Sequence, residues 1–217
     1  MSAGAHDGAR AREAVVLLHG LWMNRFIMLP LARRLAAQGY ATHLFGYSSL
    51  ARDIDANAAS LARLLGEIDA PVLHLVGHSL GGVTLLASLR ARPDPRVRRV
   101  VLLGAPVRGA AAVRRLLASA WGRKLIGAGA RRLAAPPSLE IDRRIEIGTL
   151  AGTRRLGMAA VLAPVPGAGD GAVLVEETRH PQARDAIALR VSHSGMLFSP
   201  EVARQVAHFL RYGRFAR

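Results

Sequence analysis

One serine, one histidine and one aspartate stand in this sequence in local settings that suit nucleophilic catalysis. Ser79 lies in Gly77-His78-Ser79-Leu80-Gly81-Gly82, Asp170 in Gly169-Asp170-Gly171-Ala172-Val173, and His193 in Val191-Ser192-His193-Ser194-Gly195. A serine hydroxyl alone is a weak nucleophile; it needs a base within hydrogen-bond reach and a third group to orient that base. As a bare pattern Gly-x-Ser-x-Gly is weak, because an ordinary glycine-rich turn also produces it. Its setting gives it weight. The apolar run Pro71–Val76 leads directly into Gly77, and a helix-forming stretch follows. At a strand-to-helix turn the backbone is tight, and the nucleophile's side chain is lifted clear of the sheet. The residues two before and two after the serine, Gly77 and Gly81, are expected to crowd one another there, which glycine relieves. The helix that follows aims its positive end at the reacting oxygen.

The remaining histidines and acids fit these roles less well. His78 adjoins the serine but is expected to point elsewhere in such a turn. His74 alternates within a strand and is expected to be packed, and His6, His43, His180 and His208 have no motif around them. For the acid, Glu176, Glu177 and Asp185 stay as rivals to Asp170, although each is as readily a solvated charge. Asp142 precedes its strand and would lie at the wrong edge of a sheet.

Elements of alternating type have to position these groups. Apolar runs at Ala14–Leu18, Tyr40–Phe45, Pro71–Val76, Val97–Leu103, Ile145–Leu150 and Ala186–Val191 read as strands. Between them, Arg25–Gln38, Asp53–Ile68, Thr84–Arg90 and Pro200–Tyr212 carry apolar residues at helical spacing. Such alternation predicts an α/β fold, a mostly parallel sheet with helices on both faces. Ligand sites in such sheets form at the carboxyl ends of the strands, where Ser79 and His193 both fall. Ala110–Ala134 is a basic amphipathic stretch whose Val113, Leu116, Leu117, Trp121 and Leu125 form one helical stripe, expected to pack on the sheet rather than to lie apolar face down on an anionic membrane. Leu156–Gly171 reads as a long loop, and residues 1–13 as a flexible segment.

Composition narrows the function classes. The 217 residues suit one domain with a sizeable core, 51% of them are hydrophobic, and no cysteine is present, which excludes disulfides and thiolate metal sites. The net charge of +15 is almost wholly arginine, since Lys124 is the only lysine. Those arginines are scattered and lack interleaved aromatics, so a specific nucleic-acid partner is not expected. No apolar run approaches the length of a transmembrane span, no secretory signal opens the chain, and a cytoplasmic location is the default expectation.

The order strand–His-Gly–helix, strand–Gly-His-Ser-Leu-Gly-Gly–helix, Gly-Asp-Gly-Ala-Val and strand–Ser-His resembles the α/β-hydrolase superfamily, from about Val15 to Leu210. More narrowly it is similar to small bacterial lipases and esterases with little or no cap domain. The resemblance implies a single α/β-hydrolase domain over residues 1–217 and a Ser79–Asp170–His193 triad. It also implies an oxyanion hole made by the backbone N–H groups of Leu21 and Leu80, with no metal and no organic cofactor. His19 would brace the oxyanion loop, and Trp22 either lines an acyl pocket or simply packs. The expected activity is hydrolysis of a small-molecule ester or lipid through an acyl-serine intermediate. An acyltransferase, a thioesterase and a non-catalytic binding protein on the same fold stay compatible with these residues.

Overall fold

The computed structural model describes residues 13–135 and 140–217. The flexible segment expected over residues 1–13 lies outside the described residues except at Glu13, which opens the first strand. Six strands form one sheet: β1 (Glu13–Leu18), β2 (Ala41–Phe45), β3 (Val72–His78), β4 (Val97–Leu103), β5 (Glu146–Gly152) and β6 (Ala183–Leu189). Their order is β2-β1-β3-β4-β5-β6, and every neighbouring pair is parallel. Unbroken apolar runs such as Ala14–Leu18 suit strands covered on both faces, and those five residues are fully buried. The edge strand β6 instead alternates exposed and half-buried residues. It begins three residues earlier than its apolar content indicates, because its pairing with β5 starts at Ala183.

Helices α1 (Leu29–Ala36) and α7 (Pro200–Tyr212) cover one face, and α2 (Ile54–Glu67) and α3 (Leu80–Ala91) the other. Local chemistry sets their ends. The Asp53 carboxylate accepts the Ala56 N–H at 2.7 Å to cap α2. Ser199 caps α7 ahead of Pro200, and Gly213 closes it in a left-handed turn at φ 70°. α3 starts four residues earlier than its apolar spacing predicts, directly after Ser79.

The stripe expected to form one helix over Ala110–Ala134 is two: α4 (Ala111–Leu117) and α5 (Ala120–Arg131), the second capped by Ser119. α5 is itself kinked at Gly127, whose φ is 66°. Val113 and Leu116 are buried, Leu125 is half-buried and Trp121 is 57% exposed, so the break turns the stripe's far end away from the core. These helices roof the carboxyl edge of the sheet. A short helix, α6 (Met158–Leu162), interrupts the loop expected over Leu156–Gly171. No larger cap is present among the described residues.

Candidate active site

β3 ends at His78 and α3 begins at Leu80, which leaves Ser79 alone at the junction. Its φ of 54° and ψ of −124° lie where side-chain-bearing residues rarely go. Such a conformation costs about 1–3 kcal/mol and persists only when its surroundings hold it. The Ser79 N–H donates to the Leu103 carbonyl at 2.9 Å, and the Gly82 N–H returns to the Ser79 carbonyl at 2.9 Å. A Cβ on Gly77 would lie 2.5 Å from Gly82 Cα, while one on Gly81 would lie 2.4 Å from the His19 carbonyl oxygen. The backbone that crowds Gly77 most closely is that of Gly82 rather than Gly81. The first turn of α3 folds its third residue over the strand, so Gly82 opposes Gly77 and Gly81 seats the helix on the end of β1.

His193 and Asp170 come from the loops after β6 and β5 and meet above the end of β4. The His193 Nδ1–H donates to Asp170 Oδ2 at 2.7 Å, and the His193 N–H donates to the Asp170 carbonyl at 3.1 Å. The other carboxylate oxygen accepts the N–H groups of Ala172 at 2.9 Å and Val173 at 2.8 Å. Burial works to raise the Asp170 carboxyl. The charge and hydrogen bond of His193 and the two backbone N–H groups outweigh it and hold the carboxyl below its ordinary value. Gly104, the residue after β4, makes this meeting possible. A Cβ there would come within 3.0 Å of Asp170 Oδ2 and 3.2 Å of His193 Nδ1, and its φ of 54° is left-handed. Only its place directly after an apolar strand could have marked Gly104 in the sequence.

The rival acids are engaged elsewhere. Glu177 accepts the N–H groups of Ala111 at 2.6 Å and Leu174 at 2.9 Å. Asp185 accepts the Phe215 N–H at 2.8 Å, Glu176 pairs with Arg179, and Asp142 pairs with Arg144. Among the other histidines, His74 is buried against Glu13 and His208 donates to the Arg214 carbonyl. The buried His180 accepts the Gln182 N–H, and His6 lies outside the described residues. His78 departs from expectation. Instead of pointing away, its Nε2–H donates to the His193 carbonyl at 2.9 Å.

The loop after β1 reaches the same edge. His19 braces it: its carbonyl accepts the Tyr47 hydroxyl at 2.6 Å, and its ring stacks on Tyr47 at 4.4 Å. Burial pushes the His19 imidazole down and the Tyr47 phenol up, so both stay neutral. Leu21 follows at the cavity wall, and Trp22 has a φ of 60°. Trp22 both lines the cavity and donates its indole N–H to the Leu125 carbonyl of α5 at 3.0 Å. That tie fastens the loop to the roof.

Ser79 and His193 open into one cavity of about 270 Å³. Its walls are the loop residues Leu21 and Trp22, the roof residues Val113, Leu116 and Ile126, and Val173 beside Asp170. Among the described residues no Asp, Glu, Lys or Arg lines it. Among the described residues the Ser79 hydroxyl makes no hydrogen bond to His193, and no three His, Asp or Glu side chains gather as a metal ligand set.

The sequence matches the alpha/beta hydrolase family over residues 15–213. A search of curated proteins finds no match. Among solved structures, the fold is similar to lipase BlEst2 of Bacillus licheniformis in its mature form. The identity there is 22% and the TM-score 0.78, over 94% of this chain and 92% of that one. The metagenomic carboxyl esterase MGS0156 is similar at 18% identity and a TM-score of 0.62, over 84% of this chain and 65% of that one. The pyrethroid hydrolase PytH is similar at 16% identity and a TM-score of 0.65, over 92% and 98%. At such identities the likeness is one of fold, whereas the family match spans nearly all of the sheet and its helices. The chain belongs to the alpha/beta hydrolase family.

Proposed function

We propose that this protein is a carboxylic-ester hydrolase working through an acyl-Ser79 intermediate, with His193 as general base and Asp170 orienting it. The observation that carries this reading is the 2.7 Å contact of His193 with the buried Asp170, formed on the wall of the cavity into which a strained Ser79 opens. Ser79 attacks the ester carbonyl as His193 Nε2 takes its proton, and the imidazolium then protonates the leaving alcohol. Water activated by neutral His193 releases the acid and restores the serine. Asp170 stays ionised throughout and favours the protonated imidazole.

The oxyanion of the tetrahedral intermediate would rest on the N–H groups of Leu80 and Leu21. Leu80 is the first residue of α3, where N–H groups have no intrahelical acceptor. The apolar, uncharged wall supports a neutral acyl group. A cavity of about 150 Å³ holds a benzene, so about 270 Å³ supports acyl chains longer than acetyl. The six strands of one sheet support reading the chain as a single hydrolase domain.

A fluorophosphonate probe should label Ser79, and Ser79→Ala should abolish labelling and cut ester turnover about a millionfold. Labelling of a different serine, with activity intact in the variant, would remove the assignment. Because only the neutral base accepts the serine proton, turnover should be lost in acid and level off at higher pH. A rate flat from about pH 5 to pH 9 with chemistry limiting would speak against a histidine base.

A further inference from the structure

We propose that His78 is a positioning residue: its imidazole braces the loop that carries His193 and so keeps that ring aimed between Asp170 and Ser79. The inference rests on the triad reading and adds to it a fourth side chain. His193 lies beyond the edge strand β6, three strands from the nucleophile strand β3. A loop residue at that distance needs contacts from the centre of the sheet to hold a fixed direction. His193 is held at three points. Its backbone N–H donates to the Asp170 carbonyl, its ring N–H donates to the Asp170 carboxylate, and its backbone carbonyl accepts from His78. The first two tie base to acid, and neither reaches the strand that carries the serine. The third ties the base to the residue adjoining the serine in the chain.

The chemistry of that contact fixes the state of His78. A carbonyl oxygen only accepts, so Nε2 carries the proton and Nδ1 is the bare nitrogen. Among the described residues Nδ1 is buried without a hydrogen-bond partner, and it faces the backbone of Gly20, where an added Cβ would lie 2.9 Å away. The ring is wholly buried and sits 4.6 Å from the His193 ring, centroid to centroid, at a tilt of 47°. His78 thus fills the space between the oxyanion loop, the nucleophile turn and the base. Burial, reinforced by the neighbouring His193, pushes its pKa down to about 3. It neither competes as a base nor repels the imidazolium that forms on His193 during acylation.

The test compares His78→Met, which fills similar space without a donor, with His78→Gln, whose side-chain N–H can reach the same carbonyl. Each variant is examined for Ser79 phosphonylation rate, for kcat and KM on a p-nitrophenyl ester, and for the low-field proton resonance of the His193–Asp170 hydrogen bond. Misplacing a reacting group by about 1 Å can cost 10²-fold. His78→Met should therefore lose about 10- to 100-fold, in kcat rather than KM, with the low-field resonance broadened or lost, and His78→Gln should recover most of both. Wild-type phosphonylation and an unchanged resonance in His78→Met would overturn the brace. So would equal impairment of the two variants in step with their thermal stability, since that is the mark of ring packing alone. Failure of the triad reading is separately visible, as absence of Ser79 labelling in the wild-type protein.

Discussion

Asp170 and Glu177 are buried carboxylates seven residues apart on the segment between β5 and β6, and their partners separate their work. Asp170 turns one oxygen to His193 and the other to its own loop. Glu177 spends both oxygens on backbone N–H groups, one of them Ala111 at the start of α4. Asp170→Asn should lower kcat by about 10⁴-fold, because the orienting charge is lost while the fold remains. Glu177→Ala should instead lower the melting temperature, because a buried N–H at the foot of the roof loses its acceptor. Full activity in Asp170→Asn, with Glu177→Gln inactive, would exchange the assignments.

The buried histidines make a second prediction at this scale. Burial lowers His78 to about 3, and it lowers His19 and His74 as well, from an ordinary 6.5. Below that ordinary value the unfolded chain binds protons that the native state refuses, so stability falls as pH drops from about 6.5 toward the native values. Each histidine contributes a slope of up to about 1.4 kcal/mol per pH unit within its window. Denaturant unfolding between pH 7 and pH 5 should show the decline, shallower in His78→Gln. A stability flat to pH 5 would mean that these rings are solvated.

At the scale of elements, α4 and α5 together roof the cavity, with Val113 and Leu116 from the first and Ile126 from the second, and several contacts pin α5. Trp22 donates to its Leu125 carbonyl, Arg132 beyond its end pairs with Asp55, and its kink lies against the turn after β2. At that kink a Cβ on Gly127 would come within 2.6 Å of the Leu50 carbonyl oxygen. With a φ of 66° besides, Gly127→Ala should destabilise by about 1–3 kcal/mol. Because Ile126 lines the cavity next to it, the same variant should shift the ratio of kcat/KM between short and longer acyl esters. Unfolding and ester selectivity both matching wild type would show that α5 moves independently of the site.

Across the whole molecule, charge and apolar exposure pull in different directions. The net charge of +15 is spread over surface arginines, several of them paired, as Arg204 is with Glu201 and Arg144 with Asp142. Among the described residues no helix is long and apolar enough to cross a membrane. Trp121 and Val161 are nevertheless well exposed near the roof. Diffuse charge acts over a Debye length of about 10 Å at 0.1 M salt. Binding to anionic vesicles should therefore appear at low ionic strength and vanish at physiological salt, with no blue shift of tryptophan emission. Salt-resistant sedimentation together with a blue shift would mean that Trp121 inserts into the bilayer.

The alternation of apolar runs and amphipathic stretches already specifies a parallel sheet, because buried strands and half-buried helices have different apolar periods. The glycines around Ser79 mark the turn for a similarly local reason: a tight junction restricts which residues fit. Ser79, Asp170 and His193 could thus be picked out one at a time, each from its own few neighbours. Their assembly could not. Gly104 makes room for the Asp170–His193 contact, and His78 reaches the His193 carbonyl 115 positions later in the chain; neither residue's neighbours in sequence name the groups it meets. The break at Ala118–Ser119 has a local cause, since the Ser119 hydroxyl accepts the Gly122 N–H at 2.9 Å, but where the two halves go is a tertiary matter. Helical periodicity alone would let the stripe from Val113 to Leu125 run on, but here its first half closes a cavity over Ser79 while Trp121 turns outward. Short-range sterics and burial period are written in consecutive residues, whereas a pocket is made by groups that meet only when the sheet brings its strand ends level.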